Sequence, residues 1–366
     1  MKKIRKPITA GRIIILGFMG LILMGSLLLM LPISTKERVV TPFVDTLFTS
    51  TSAVCVTGLI VHDTATYWSV FGQSIILIMI QIGGMGVVTV AVSIAAFAGR
   101  KIGLMQRSTM QESISAPRVG GIVKLTKFIL KITFAAEAIG AAVMAVIFCR
   151  DFGIIKGIWY AVFHSVSAFC NAGFDLMGEI EPYSSLTHYT SNIPLNIIVM
   201  LLVVFGGIGF LTWEDIKTNK LNVKKYRMQT KVILVVSGVL IFVPAIFFFF
   251  FEYSEMSLSK RILSSLFQSV TMRTAGFNTA DLSAVSSPGL LIMIVLMIVG
   301  GSPGSTAGGM KTTTFGVLLA SAISVFRKKE NAQIFKRRID DSIVKTASAL
   351  LMLYLTLFIS GCTRRL

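Results

Sequence analysis

The chain has 366 residues, 54% of them hydrophobic and 14% charged, with a mean hydropathy of +0.78 and a net charge of +18. Soluble domains carry about 25% charged residues, so a soluble enzyme or a soluble nucleic-acid-binding domain is excluded, and apolar runs of span length recur. The expected class is an all-α polytopic membrane protein.

In chain order, candidate spans fall at 11–32, 67–99, 124–149, 192–214, 229–252, 288–326 and 343–361. The start, Met1 to Lys6 followed by an apolar run, mimics a signal peptide. No A-x-A-like cleavage site follows and the run is span-length, so the reading is an uncleaved first helix. Most of the 35 basic residues sit in four clusters: Lys2 to Arg12, Arg100 to Lys131, Lys217 to Lys231 and Arg327 to Lys345. The loops between the clusters hold fewer cations and more carboxylates. The alternation places the clusters, and the N-terminus, on the cytoplasmic side of the cell membrane. It also offers a surface for a cytoplasmic partner. Cys55, Cys149, Cys170 and Cys362 have neither metal-ligand nor disulfide-framework spacing.

Between spans one and two, three and four, and five and six lies one repeated segment: Leu47 to Leu59, Val162 to Phe174 and Leu266 to Phe277. Each has ten to fourteen apolar-rich residues before a glycine (Gly58, Gly173, Gly276). That is too short to cross and long enough to enter and turn back. The unit is span, re-entrant helix, glycine loop, span, used three times; the seventh span begins a fourth. The expected divisions are 1–99, 100–217 and 218–326 for three pore units, and 327–366 for a cytoplasmic linker and the start of a fourth. A fourth glycine copy, expected near residue 380 or later, does not occur within 366 residues.

A helix ending at membrane depth points the negative end of its dipole inward, which favours a cation. Glycine lets the following loop adopt conformations that free its carbonyls, and rings of carbonyls replace the hydration shell in selective cation filters. Candidate donors are the backbone oxygens of Val56, Thr57, Asn171, Ala172, Thr274 and Ala275.

A second repeat lies in the second span of each unit: Gly83-Gly84-Met85-Gly86, Gly206-Gly207-Ile208-Gly209 and Gly300-Gly301-Ser302-Pro303-Gly304. Close helix packing accounts for the first two. The third continues through Ser305, Thr306, Ala307, Gly308, Gly309 and Met310 to Lys311 inside a long apolar run. Proline and five glycines do not hold a regular helix, and irregular backbone at membrane depth must be buried in protein or line a cavity. A phosphate loop is rejected there, because Met310 separates Gly309 from Lys311. Lys311 is expected to face a cavity or a partner.

Ser52 to Leu59, Phe169 to Phe174 and Arg273 to Thr279 resemble the first three filter segments of the Trk/Ktr/HKT potassium transporters, and Gly300 to Thr314 resembles that family's intramembrane gating loop. The short N-terminus is more like the Ktr membrane subunit than a TrkH-type subunit. The resemblance implies potassium uptake, sodium-assisted in many Ktr systems, with K+ and Na+ as ions and no covalent cofactor. It also implies a homodimer in membrane lipid, bound to a cytoplasmic nucleotide-binding ring of KtrA type, with no nucleic acid involved. The six carbonyls above would hold potassium, and 300–311 would be the gate. The family's fourth segment has no counterpart here. A truncated gene product, a chain completed by another polypeptide and a non-conducting regulatory subunit all stay open.

A membrane-embedded enzyme would need paired acids, H-E-x-x-H or G-x-S-x-G. Glu137 stands alone within its span, and His62, His164 and His188 lie apart. His164 is expected to pack or hydrogen-bond. Glu137 is left between a functional role and a local pair, and Arg273 between an acidic partner at the pore mouth and a surface anchor.

Overall fold

The structure, a computed structural model, describes residues 9–97, 102–114, 120–329 and 331–363. Of the basic clusters, Lys2, Lys3, Arg5, Lys6, Arg100, Lys101 and Arg118 lie outside the described residues, as do Arg364 and Arg365.

The first unit runs through α1 (Ala10–Leu29), α2 (Phe43–Cys55), α3 (Val70–Met85) and α4 (Val87–Phe97), followed by a polar helix, α5 (Leu104–Ser113). The second runs through α6 (Ile122–Phe152), α7 (Ile154–Phe169), α8 (Ile193–Ile208) and α9 (Phe210–Asn219). The third holds α10 (Met228–Phe247), which passes into one π turn (Phe248–Glu252), then α11 (Leu258–Thr271), α12 (Ser287–Ile298) and α13 (Thr312–Phe326). A two-residue hairpin, β1 (Gln333–Ile334) against β2 (Arg337–Arg338), leads into α14 (Asp341–Thr363).

α1, α6, α14 and the run Met228–Glu252 are each long and apolar enough to cross a membrane. Their outward faces carry exposed Ile15, Leu16, Phe134, Val146, Phe242 and Leu353, as lipid contact requires. α2, α7 and α11 have 13, 16 and 14 residues. At 1.5 Å per residue they reach about 20–24 Å, short of a hydrocarbon core of about 30 Å.

The sequence reading treats 67–99 and 192–214 as continuous spans, and the structure corrects this. α3 and α4 meet at 94°, and α8 and α9 at 93°. The break is the last glycine of each Gly-Gly-x-Gly run: Gly86 has φ 85° and ψ 128°, Gly209 φ 97° and ψ 141°. A helix cannot continue through such a residue. In the third unit the helix stops at Ile298 and resumes at Thr312, with the expected irregular segment between. The second span of each unit starts on the same device: the side chains of Ser69, Asn192 and Ser286 accept from the amides of Gly72, Leu195 and Gly289, satisfying a first-turn donor.

The first glycines of the repeated runs seat the re-entrant helices. A Cβ on Gly83 would overlap the carbonyl of Val54, and one on Gly206 the carbonyl of Phe169. The last turns of α2 and α7 therefore lie directly on the backbones of α3 and α8. Units one and two share one apolar core, which also takes in Phe267, Val270 and Phe277; a second core joins α10, α12 and α13.

Candidate functional site

Each re-entrant helix ends by turning sharply. In α2 the turn is Val56, left-handed at φ 58°, and the Thr57 amide reaches back to Ser52 O at 2.9 Å. In α7 it is Asn171 at φ 60°, with the Ala172 amide on Ser167 O at 2.8 Å. In α11 the Ala275 amide bonds Thr271 O at 2.9 Å. These bonds use carbonyls of each helix's last turn. Gly58, Gly173 and Gly276 follow at φ 77°, 71° and 81°.

The three segments meet in order. A Cβ on Gly58 would stand 2.5 Å from Ala172 O and 3.6 Å from the Gly173 Cα. One on Gly173 would overlap Ala275 O and lie 3.2 Å from the Gly276 Cα. One on Gly276 meets nothing nearer than the Gly173 Cα at 3.8 Å, so that side is open among the described residues. None of the carbonyls of Val56, Thr57, Asn171, Ala172, Thr274 and Ala275 accepts a hydrogen bond from a described residue. Six unpaired carbonyls around one junction make an oxygen-rich patch, a candidate cation site. The negative ends of three helix dipoles add to it.

The residues past the glycines are strapped. Ser167 Oγ and Thr271 Oγ1 each donate at 2.7 Å, to Phe174 O and Phe277 O. His164 is fully buried and matches the expected packing role: Nδ1 donates to Tyr160 O at 2.7 Å and Nε2 accepts from the Leu176 amide at 3.2 Å. Among the described residues no group of three His, Cys, Asp or Glu could hold a metal.

The outer loops are stapled together. Asp63 Oδ1 accepts from the amides of Ala65 and Thr66, and Oδ2 from the Tyr183 amide at 3.1 Å, tying loop one to loop two. The Leu186 amide on Asn278 O, at 2.9 Å, ties loop two to loop three. Glu179 binds Lys36 and Lys156. Burial raises its pKa, but the two ammoniums more than reverse this and hold it below the usual carboxylate range. Sequence reasoning missed Asp63, Ser167 and Thr271; the one local signal was Asp63-Thr64-Ala65-Thr66, an Asx-turn pattern.

Residues 300–311 pack beneath the second segment. The Ser302 amide bonds Gly207 O at 2.9 Å, the Thr306 amide Gly206 O at 3.2 Å, and the Phe210 amide Gly304 O at 2.8 Å. The loop thus sits on the glycines where α8 breaks. It is closed on itself by the amides of Gly300, on Met310 O, and Gly301, on Gly308 O. Ser305 Oγ donates to Ser302 O, and Ser302 Oγ meets Thr312 Oγ1 at 2.9 Å. Lys311 Nζ donates to Ala307 O at 2.9 Å. Pro303 and Gly304 form a turn, and Gly304 and Gly309 have φ 64° and 71°.

Arg273 departs from both sequence expectations. It is 7% exposed, and its Nη2 donates to Gly300 O at 3.3 Å. No carboxylate of a described residue pairs with it. It braces the loop from the third segment. Glu137 has a local pair: Oε1 accepts from Gln81 Nε2 at 2.9 Å, and its backbone carbonyl from Ser165 Oγ.

Crossing helices, three re-entrant helices meeting at free carbonyls and an irregular loop below them define a helical membrane protein of the cation-transporting class. The chain belongs to the TrkH cation transport protein family, which matches residues 13–363. It is 40% identical over 361 residues to the potassium/sodium uptake protein NtpJ of Enterococcus hirae, covering 97% of this chain and 79% of that one. It is 36% identical over 347 residues to the Ktr system potassium uptake protein B of Bacillus subtilis, covering 93% and 76%. The crystal structure of the potassium transporter TrkH from Vibrio parahaemolyticus shares the fold, with a TM-score of 0.73 at 18% identity over 98% of this chain and 72% of that one.

Proposed function

We propose that this chain is the membrane subunit of a potassium uptake system. Potassium sheds water at the outer mouth and is coordinated by the carbonyls of Val56, Thr57, Asn171, Ala172, Thr274 and Ala275, with Gly58, Gly173 and Gly276 setting the loop shape. The loop from Gly300 to Lys311 is the gate beneath. Sodium assists uptake, and a cytoplasmic nucleotide-binding ring regulates a homodimer of the subunit. The N-terminus lies in the cytoplasm, in line with the basic clusters. The carrying observation is the set of free carbonyls at three sequentially apposed, positive-φ glycines.

The test is rubidium uptake and growth at low potassium of a potassium-uptake-deficient strain expressing the protein, with and without a ring subunit and with and without sodium. Uptake that rises with the ring and with sodium is expected. Absence of uptake in every arm overturns the transport reading. One observation favours a second reading, in which the chain alone binds the ion without conducting it: the open side of Gly276. Ion binding without uptake, in the arm lacking the ring, is its signature.

A further inference from the structure

The left-handed residue that ends α2 is Val56, whose side chain has no polar atom; the one that ends α7 is Asn171. An asparagine tolerates that conformation readily, but conformation alone does not explain what its amide does. Asn171 is 1% exposed. Its Oδ1 accepts from Thr274 Oγ1 at 3.0 Å, in the third segment. Its Nδ2 donates to Thr306 Oγ1 at 3.0 Å, in the intramembrane loop, and lies 3.3 Å from Phe169 O and Val203 O. The Thr306 hydroxyl spends its own proton on Phe169 O at 2.8 Å, which leaves its lone pair for Asn171. The result is a directed chain, Thr274 to Asn171 to Thr306 to the end of α7, with each hydroxyl donating once. Two of its members, Asn171 and Thr274, carry candidate filter carbonyls on their own backbones; the third belongs to the loop.

We infer that Asn171 is a positioning residue that couples the state of the filter to the position of the loop, through its bond to Thr306. This rests on the filter and gate reading above. When an ion holds the carbonyls of Asn171 and Thr274 in place, the amide between them is held as well, and with it Thr306. When the ion leaves, the amide can turn and the loop loses that anchor. Coupling is reciprocal, so a displaced loop also loosens the second and third segments. The other loop contacts, from Arg273 to Gly300 O, from the Ser302 amide to Gly207 O, from the Thr306 amide to Gly206 O and from the Phe210 amide to Gly304 O, do not run through the Asn171 side chain.

The experiment uses the full chain in lipid nanodiscs carrying Ser305→Cys, with maleimide labelling of the peptide at position 305 followed by mass spectrometry. Thermal stabilisation by potassium over sodium is measured on the same samples as a separate readout of ion binding. Potassium is expected to slow labelling about fivefold, the low end of typical coupling. Thr306→Val and Thr274→Val, which break the chain at its two ends, should each reduce that effect below about twofold while potassium still stabilises the protein. Thr306→Ser, which restores the hydroxyl, should restore it. A potassium effect on labelling that survives both valine substitutions overturns the inference and leaves the filter reading standing. Absence of any potassium stabilisation in the unsubstituted chain overturns both. If Thr306→Val does not fold, Thr274→Val, which leaves every loop contact intact, decides alone.

Discussion

Gly173 shows how much rests on one hydrogen atom. Its φ of 71° is a conformation that costs a residue with a Cβ about 1–2 kcal/mol, and that Cβ would overlap Ala275 O, a candidate ligand of the neighbouring segment. Gly173→Ser must therefore displace that carbonyl. Each 1.4 kcal/mol is about tenfold in an equilibrium, so the potassium-over-sodium ratio should fall by about that factor in a flux assay, with the protein still inserted. An unchanged ratio would argue against the filter assignment. The three glycines were legible in the sequence because the pattern around them recurs three times in apolar surroundings. Ser167 and Thr271 were not, because each acts on a carbonyl that only the folded loop brings near, and the Asx-turn pattern at Asp63 does not reveal that its other oxygen takes the Tyr183 amide. Arg273 was misread for a related reason: its partner is a backbone oxygen, Gly300 O, and a sequence displays charges but not free carbonyls.

Among elements, the re-entrant helices and the broken spans depend on each other. α7 can end where it does because Gly206 lets the α8 backbone meet the carbonyl of Phe169, and α2 uses Gly83 against Val54 in the same way. Gly206→Ala should cost about 1–3 kcal/mol through overpacking, read as a lowered melting temperature of the purified protein, whereas Gly238→Ala, a helical site with nothing within 4 Å of the added Cβ, should not lower it. Equal melting temperatures for the two variants would contradict this packing account. The spacing of glycine pairs announced close contact in the sequence. The bends near 90° were hidden, because hydropathy runs unbroken through Gly86 and Gly209 and says nothing of φ. In the third unit the proline and the density of glycines did announce the break, and the chain is irregular between Ile298 and Thr312.

At the scale of the whole molecule, three copies of one unit are arranged so that each segment faces the next, Gly58 toward Ala172 and Gly173 toward Ala275. The outer loops are stapled in the same order, by Asp63 to Tyr183 and by Leu186 to Asn278. Below, the loop of the third unit crosses to the second, where Gly206, Gly207 and Phe210 hold it. The class and the repeat were open to a reader of the sequence, since composition and period carry them. The crossing of the loop to the second unit was not, since it depends on backbone bonds between residues about a hundred apart. The central claim is that the carbonyls of the three segments form one cation site. The most direct measurement is an experimental density map of the purified protein in thallium, a heavy stand-in for potassium, compared with one in sodium. The account predicts thallium density among the carbonyls of Thr57, Ala172 and Ala275 that is displaced by potassium. Thallium bound elsewhere, with that junction empty, would contradict it.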